Sequence, residues 1–194
     1  MTTIESTPRS VEPAHWTVDG DQSSVAFAVK TFWGLATVHG RFERFDGSYE
    51  IGPDGLKIKL TIEADSLDTG NRRRDEHLRS HDFFHVDEHP QLLFTSTRIR
   101  HQGNAVLNVE GVLEAVGKVV PLAFDAWIQP TDDGLEIEAI TTIDPQQLGM
   151  SSGPLGMIRP PATVHIDAHL TTEEGEGVVH AHAGFVRDGS GAWS

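Results

Sequence analysis

Leu56-Lys57-Ile58-Lys59-Leu60-Thr61-Ile62-Glu63-Ala64 is the stretch whose reading decides the fold. Apolar and polar residues alternate at every step. Side chains of an extended chain point to opposite faces in turn, so this is a strand with one dry and one wet face. It follows Gly52-Pro53-Asp54-Gly55, a turn sequence. The same period recurs on both sides. Residues 24–31 put Val25, Phe27 and Val29 on one face, and residues 38–45 run into Asp46-Gly47, which reads as a second turn. Residues 92–99, 105–113, 119–128, 135–143 and 162–170 complete the set. Gln102-Gly103-Asn104, Thr131-Asp132-Asp133-Gly134 and the Gly- and Pro-rich stretch 153–161 separate several of them. Eight or nine strands at hairpin spacing predict an all-β antiparallel protein, built as two sheets or a closed barrel.

The flanks differ. Residues 1–14 are polar and aperiodic, carry Pro8 and Pro13, and read as a flexible lead. Residues 171–194 read as a tail in which 178–185 is a candidate for one extra short strand. Between them, residues 15–170 form one domain.

A chain of 194 residues can bury a core without disulfides or metals. It has no cysteine, which excludes a disulfide scaffold, a thiol nucleophile and thiolate metal sites. Asp and Glu total 29 against 15 Lys and Arg, a formal net charge of −14. Such a body repels phosphate backbones, so no nucleic-acid partner is expected. No segment has the roughly 18 consecutive apolar residues of a transmembrane helix, and stable membrane insertion is not expected. Met1 to Pro8 lacks the basic and apolar regions of a signal peptide, and the expected location is the cytoplasm.

Residues 65–90 break the β pattern. The stretch is charged and poor in β-branched residues. Residues 71–78 form a short helix, and Ser80-His81-Asp82-Phe83-Phe84 begins a second that ends before Pro90. A crossover of about 25 residues has a structure or a task of its own.

This stretch also carries a resemblance. Asp68-Thr69-Gly70-Asn71, Arg74-Asp75-Glu76-His77-Leu78-Arg79-Ser80, Asp82-Phe83-Phe84 and His89-Pro90-Gln91-Leu92-Leu93-Phe94-Thr95-Ser96 resemble the signature of the YceI-like family. Trp16-Thr17-Val18-Asp19 with Ser23 to Phe27, Val38 to Phe42 with Phe45-Asp46-Gly47, Val109 to Leu113 and Lys118 to Leu122 resemble the family's other segments. The resemblance covers about residues 15–170. Gln22 stands where the family commonly has His, and His89 where it has Tyr.

The resemblance implies a lipocalin-like antiparallel β-barrel of about eight strands with the helical crossover around residues 65–90. It implies an elongated apolar cavity for a polyisoprenoid chain, an isoprenoid quinone or a polyprenyl phosphate, held for carriage, storage or shielding. Alternation supplies the candidate lining: Phe27, Val29, Phe42, Leu60, Ile62, Phe94, Leu107, Val109, Leu122, Phe124 and Ile137. Alternation alone fits a filled core as well as a cavity; the resemblance favours the cavity. A filled, vestigial one would fit a stress-linked interaction protein.

Arg74 and Arg79 are candidates for a ligand headgroup, since a guanidinium fork suits a phosphate or quinone oxygen. For Arg74 and Asp75 the pairing that pins the crossover onto the barrel is the favoured reading. His81, His85 and His89 recur every four residues. On a helix such a stripe can bind a metal, and the alternative function is a His-rich metal-binding barrel or metal-dependent hydrolase. With Pro90 closing the stretch, a solvated face is the favoured reading. His165, Asp167 and His169 share the outward face of a strand, with His180 and His182 as an extension. No metal and no cofactor other than the bound lipid is expected. There is no Gly-x-Ser-x-Gly, His-Glu-x-x-His, phosphate loop or Gly-x-Gly-x-x-Gly, so the chain does not read as an enzyme. A homodimer is compatible with this pattern, although no single stripe commits to one.

Overall fold

The alternating segments pair with one another in the computed structural model, which describes residues 14–31, 35–53, 55–103, 105–150 and 158–172. The strands are β1 (Ala14–Val18), β2 (Ser24–Thr31), β3 (Ala36–Phe42), β4 (Phe45–Gly52), β5 (Gly55–Glu63), β6 (Leu67–Asp68), β7 (Gln91–His101), β8 (Val106–Ala115), β9 (Lys118–Pro130), β10 (Gly134–Ile143) and β11 (Ile158–Thr171). Every pairing is antiparallel. The order β1-β4-β5-β7-β8-β9-β10-β11 closes on itself through Thr17↔Thr171 and Val18↔Leu170. Eight strands therefore form a closed barrel, the architecture that leaves no exposed ring edge.

β11 is long enough to serve two partners on one side. Its last residues pair with β1, and the stretch from Ile158 to Asp167 pairs with β2. β3 then pairs with β2, and β6 with β3 through Phe42↔Leu67. The turn between β1 and β2 is held by Asp19. Its carboxylate accepts from the Asp21 amide at 3.0 Å and from Gln22 Nε2 at 2.8 Å. The Gln22 amide first, and the Asp21 amide next, lower the Asp19 pKa below its ordinary value. Gln22, a departure from the family pattern, is absorbed as a brace of this turn.

Two expectations need correction. Residues 38–45 are not one strand. The chain turns at Glu43-Arg44, and Asp46-Gly47 lies inside β4. Gly47 is buried there, and a Cβ on it would sit 2.9 Å from the Lys59 carbonyl oxygen. This glycine permits close strand contact rather than a reversal. The second helix of the crossover is also absent. Helix α1 (Arg72–Arg79) is followed by turns up to Pro90. Ser80 stops the helix by donating both its amide (3.1 Å) and its hydroxyl (2.7 Å) to the His77 carbonyl. The chain then doubles back, with the Phe84 amide donating to the Leu78 carbonyl and the Val86 amide to the Arg79 carbonyl. The expected lead and the extra strand at 178–185 fall almost wholly outside the described residues.

The start of α1 is set by local chemistry. Asn71 caps it, its Oδ1 accepting from the Arg74 amide at 3.1 Å. Asp75 lies in the first turn, where the helix dipole favours a carboxylate, and Arg72 pairs with Glu76 at 3.0 Å. Only Asp75 of this helix is buried.

The interior divides into two packed regions along the barrel. One, at the α1 end, gathers Val25, Phe42, Ile62, Leu67, Phe83, Leu113 and Leu148. The other, at the far end, gathers Trp16, Tyr49, Leu107, Val109, Leu135 and Leu170. Leu107 and Val109 are 0% exposed, and the Trp16 and Tyr49 rings lie 5.5 Å apart.

Candidate functional site

At the α1 end the packing leaves a cavity of about 150 Å³. Its walls are inward residues of the strands: Val25, Phe27 and Val29 of β2, Phe42 of β3, Leu60 and Ile62 of β5, Leu92 and Phe94 of β7, and others round to Val164 and Ile166 of β11. Leu78 of α1 with Phe83 and Phe84 after it form the roof. Leu148 and Met150, after β10, close one side. The Phe94 and Phe124 rings, 5.4 Å apart, lie between the cavity and the packed far end. Among the described lining residues Thr141 supplies the one hydroxyl, and none of them carries a charge.

Two glycines let rings lie flat along the walls. A Cβ on Gly40 would fall 2.3 Å from the Phe27 ring, and one on Gly111 would fall 2.6 Å from both the Phe94 ring and the Thr95 carbonyl oxygen. Any larger residue at either position forces the ring or the strand to move. The roof is aromatic as well. Phe42 packs against Phe27 with the rings tilted, 5.5 Å apart, and meets Phe84 edge-on at 5.8 Å.

Of the candidate lining residues, Phe27, Val29, Phe42, Leu60, Ile62, Phe94, Leu122 and Phe124 surround this cavity. Leu107, Val109 and Ile137 do not; Leu107 and Val109 are buried in the far cluster, and the partly buried Ile137 packs against it and also borders a groove with Trp127, Glu136 and His169. All face inward, but alternation gives the face and not the depth along the barrel. The alternation pattern missed the roof (Leu78, Phe83, Phe84) and the side wall (Leu148, Met150). The Phe83-Phe84 pair, apolar within a charged crossover, was the signal for the first. No periodic signal marks the second, because it lies in a 3₁₀ turn, Pro145–Leu148, and the residues after it.

The arginines of the crossover are engaged by the protein. Arg74 Nε donates to Thr69 Oγ1 at 2.7 Å, and its Nη2 donates to the Thr69 carbonyl at 2.9 Å. Thr69 in turn donates its hydroxyl (2.6 Å) and its amide (3.0 Å) to Asp75 Oδ1. Arg79 reaches the carbonyls of Asp65 (2.8 Å) and Leu67 (2.5 Å). Arg74, Thr69 and Asp75 thus form a latch that fastens α1 to β6, and Arg79 fastens its other end. In this state both headgroup candidates donate to the chain's own oxygens.

Among the described residues, histidines contribute to two outer clusters. In the turns after α1, His85, Glu88 and His89 bring ligand atoms within 4.8 Å of one another. On the barrel wall, Glu138 of β10 and His165 and Asp167 of β11 do the same, with His165 Nε2 at 3.3 Å from Glu138 Oε1. His169 lies on the same outward face but is covered. Its amide donates to Ser23 Oγ at 2.9 Å, its carbonyl accepts from the Asp19 amide at 2.8 Å, and its Nε2 lies 3.4 Å from Asp133 Oδ2. It fastens the β1–β2 turn to β11.

A closed antiparallel barrel with an apolar cavity under a helical roof defines a lipocalin-like protein. A family profile described as the YceI-like domain matches residues 16–171. The UPF0312 protein of Pectobacterium atrosepticum is 35% identical over 111 residues, 56% of this chain and 57% of that protein. Protein YceI of Salmonella arizonae is 33% identical over 132 residues, 66% of this chain and 68% of that protein. The match to the Pectobacterium protein spans less than two thirds of its length. Among solved structures, BcnA of Burkholderia cenocepacia superposes with a TM-score of 0.73 at 19% identity, covering 80% of this chain and 99% of that one. A polyisoprenoid binding domain from Saccharophagus degradans superposes with a TM-score of 0.67 at 16% identity, covering 81% and 98%. At these identities the two structures share the fold. The chain belongs to the YceI-like family.

Proposed function

We propose that the cavity under α1 binds the chain of an isoprenoid lipid, an isoprenoid quinone or a polyprenyl phosphate, for carriage, storage or shielding from water. The observation that carries this reading is the chemistry of the described lining: hydrocarbon and aromatic, with the Thr141 hydroxyl the one polar group among those residues. A polar or charged molecule placed there would lose its hydration without partners. A methyl-branched hydrocarbon loses nothing and gains about 0.8 kcal/mol per CH₂ removed from water. The fold shared with the polyisoprenoid binding domain of Saccharophagus degradans supports the same class of ligand.

At about 150 Å³ the resting cavity is smaller than the roughly 300–1,000 Å³ of ordinary ligand pockets. A long chain therefore needs the cavity to widen, rather than filling a preformed tube. The latch of Arg74, Thr69 and Asp75 holds the root of the roof formed by Leu78, Phe83 and Phe84.

The test is extraction of a prenyl quinone from lipid vesicles by the purified protein, with Val164→Trp as the comparison. Val164 lies on the cavity wall and is only partly buried, so the larger ring occupies the ligand's space without adding a charge. The parent is expected to remove quinone from the vesicles and the variant to leave it there, with both folded by circular dichroism. Equal extraction by both would mean that the cavity does not hold the lipid.

A further inference from the structure

We propose that the turn after α1 is a binding site for a divalent transition-metal ion, with His85, Glu88 and His89 as its ligands. The site is separate from the lipid cavity and does not depend on what that cavity holds.

The sequence favours a solvated stripe here because Pro90 forbids a continuous helix. The structure brings the groups together by another route. A single turn of backbone, with the His89 amide donating to the His85 carbonyl at 2.8 Å and the Glu88 amide to the same oxygen at 3.1 Å, gives residues 85 to 89 helical spacing without a helix. This turn brings the two imidazoles side by side although His85 is not helical. Their rings lie 5.7 Å apart, edge to face. Glu88 Oε1 lies 3.6 Å from His85 Nε2, and the ligand atoms of all three residues fall within 4.8 Å. Zinc bonds of about 2.0–2.1 Å hold tetrahedral ligands about 3.3 Å apart, so small side-chain rotations close the set.

Position separates this cluster from the one on the barrel wall. Glu138, His165 and Asp167 offer one imidazole, and all three side chains are about half exposed. The turn offers two, and its His85 side chain is 30% exposed. The His89 imidazole is also restrained from behind. His85 has a left-handed backbone, φ 49°, uncommon for a residue with a side chain. The His89 ring packs over the β8–β9 hairpin, where a Cβ on Gly117 would come within 3.1 Å of it. Val86, between the two histidines, packs against the core. Ligands restrained before the ion arrives lose less freedom on binding it. His81, whose ring lies 6.5 Å from that of His85, is the nearest further imidazole for an open coordination position.

The spacing His-x-x-Glu-His also occurs in zinc hydrolases. Here the glutamate oxygen already stands beside the imidazole as a third ligand, so the arrangement is one for holding an ion. Imidazole and carboxylate together suit zinc, nickel or copper better than calcium or magnesium. Bound there, the ion would tie together the segment that carries Phe83 and Phe84.

The experiment uses the full chain stripped with EDTA and titrated with zinc, read by calorimetry and by imidazole ¹H–¹⁵N resonances. We expect the first zinc equivalent to shift His85 and His89 and to raise the melting temperature by mass action. The double variant His85→Gln/His89→Gln should lose that equivalent, Glu88→Gln should bind about tenfold more weakly or worse, and His165→Gln should bind like the parent. If the first equivalent shifts His165, or His180 and His182, or if no zinc binds at micromolar concentration, the proposal is overturned. The resonance shifts of the parent protein decide between these outcomes even if a variant fails to fold.

Discussion

Asp75 is the residue on which the crossover depends most. It is 6% exposed, and one oxygen accepts both the amide and the hydroxyl of Thr69, which in turn holds Arg74. Removing the carboxylate leaves the Thr69 amide and hydroxyl without their acceptor. Asp75→Ala is expected to lower the unfolding free energy by about 1–3 kcal/mol, measured by urea denaturation. Arg72→Ala, three residues away and exposed, should change it by about 0.5 kcal/mol or less; equal effects would mean that the latch carries no special weight. Tyr49 gives a second prediction. Burial in the far end raises the phenol's pKa above its ordinary value. The folded state therefore favours the neutral phenol. That contribution is fully present below about pH 10, the unfolded value, and is lost as pH rises through the folded one. Melting of the parent should fall more steeply above about pH 10 than melting of Tyr49→Phe. Parallel curves would show that the phenol does not ionise on unfolding.

Among the elements, the inward face of β8 shows how the barrel is both filled and hollow. Leu107 and Val109 fill the far end, Gly111 makes room for the Phe94 ring, and Leu113 reaches the cavity. Gly111→Ala places a methyl 2.6 Å from a backbone oxygen that cannot swing away. It is expected to cost about 1–3 kcal/mol in thermal or urea unfolding; a neutral result would mean that β7 and β8 shift freely. The strands were legible in the sequence because each has a wet face, and the period of two survives on that face wherever the other points. The misread turn at Asp46-Gly47 and the missing second helix share a cause. In both, a local signal was overridden by tertiary contacts: glycine used for close approach, and serine used to end a helix early.

At the scale of the molecule, the barrel separates a packed end from a hollow one, and that separation is what the sequence could not show. Eleven inward residues were legible as a set, and eight of them surround the cavity. Depth along the barrel depends on strand register and tilt, which no single strand encodes. The roof was hidden for a different reason: Leu78, Phe83 and Phe84 follow no period, being placed by a helix that stops and a chain that doubles back. The arginine latch was half legible. Pinning was the favoured reading for Arg74 and Asp75, whereas the backbone carbonyls that Arg79 reaches from α1 lie 12 and 14 residues away along the chain.

If the hollow end holds a prenyl chain, the lipid should travel with the protein. Native mass spectrometry of the full chain, purified from its own host without detergent, tests this most directly. The expected result is a population heavier than the bare chain by one lipid mass. Organic extraction should release that mass as a prenyl quinone or polyprenyl phosphate, and the lipid should be absent from Val164→Trp. A bare chain in every preparation, or a bound species of polar character retained equally by the variant, would contradict a lipid-holding cavity.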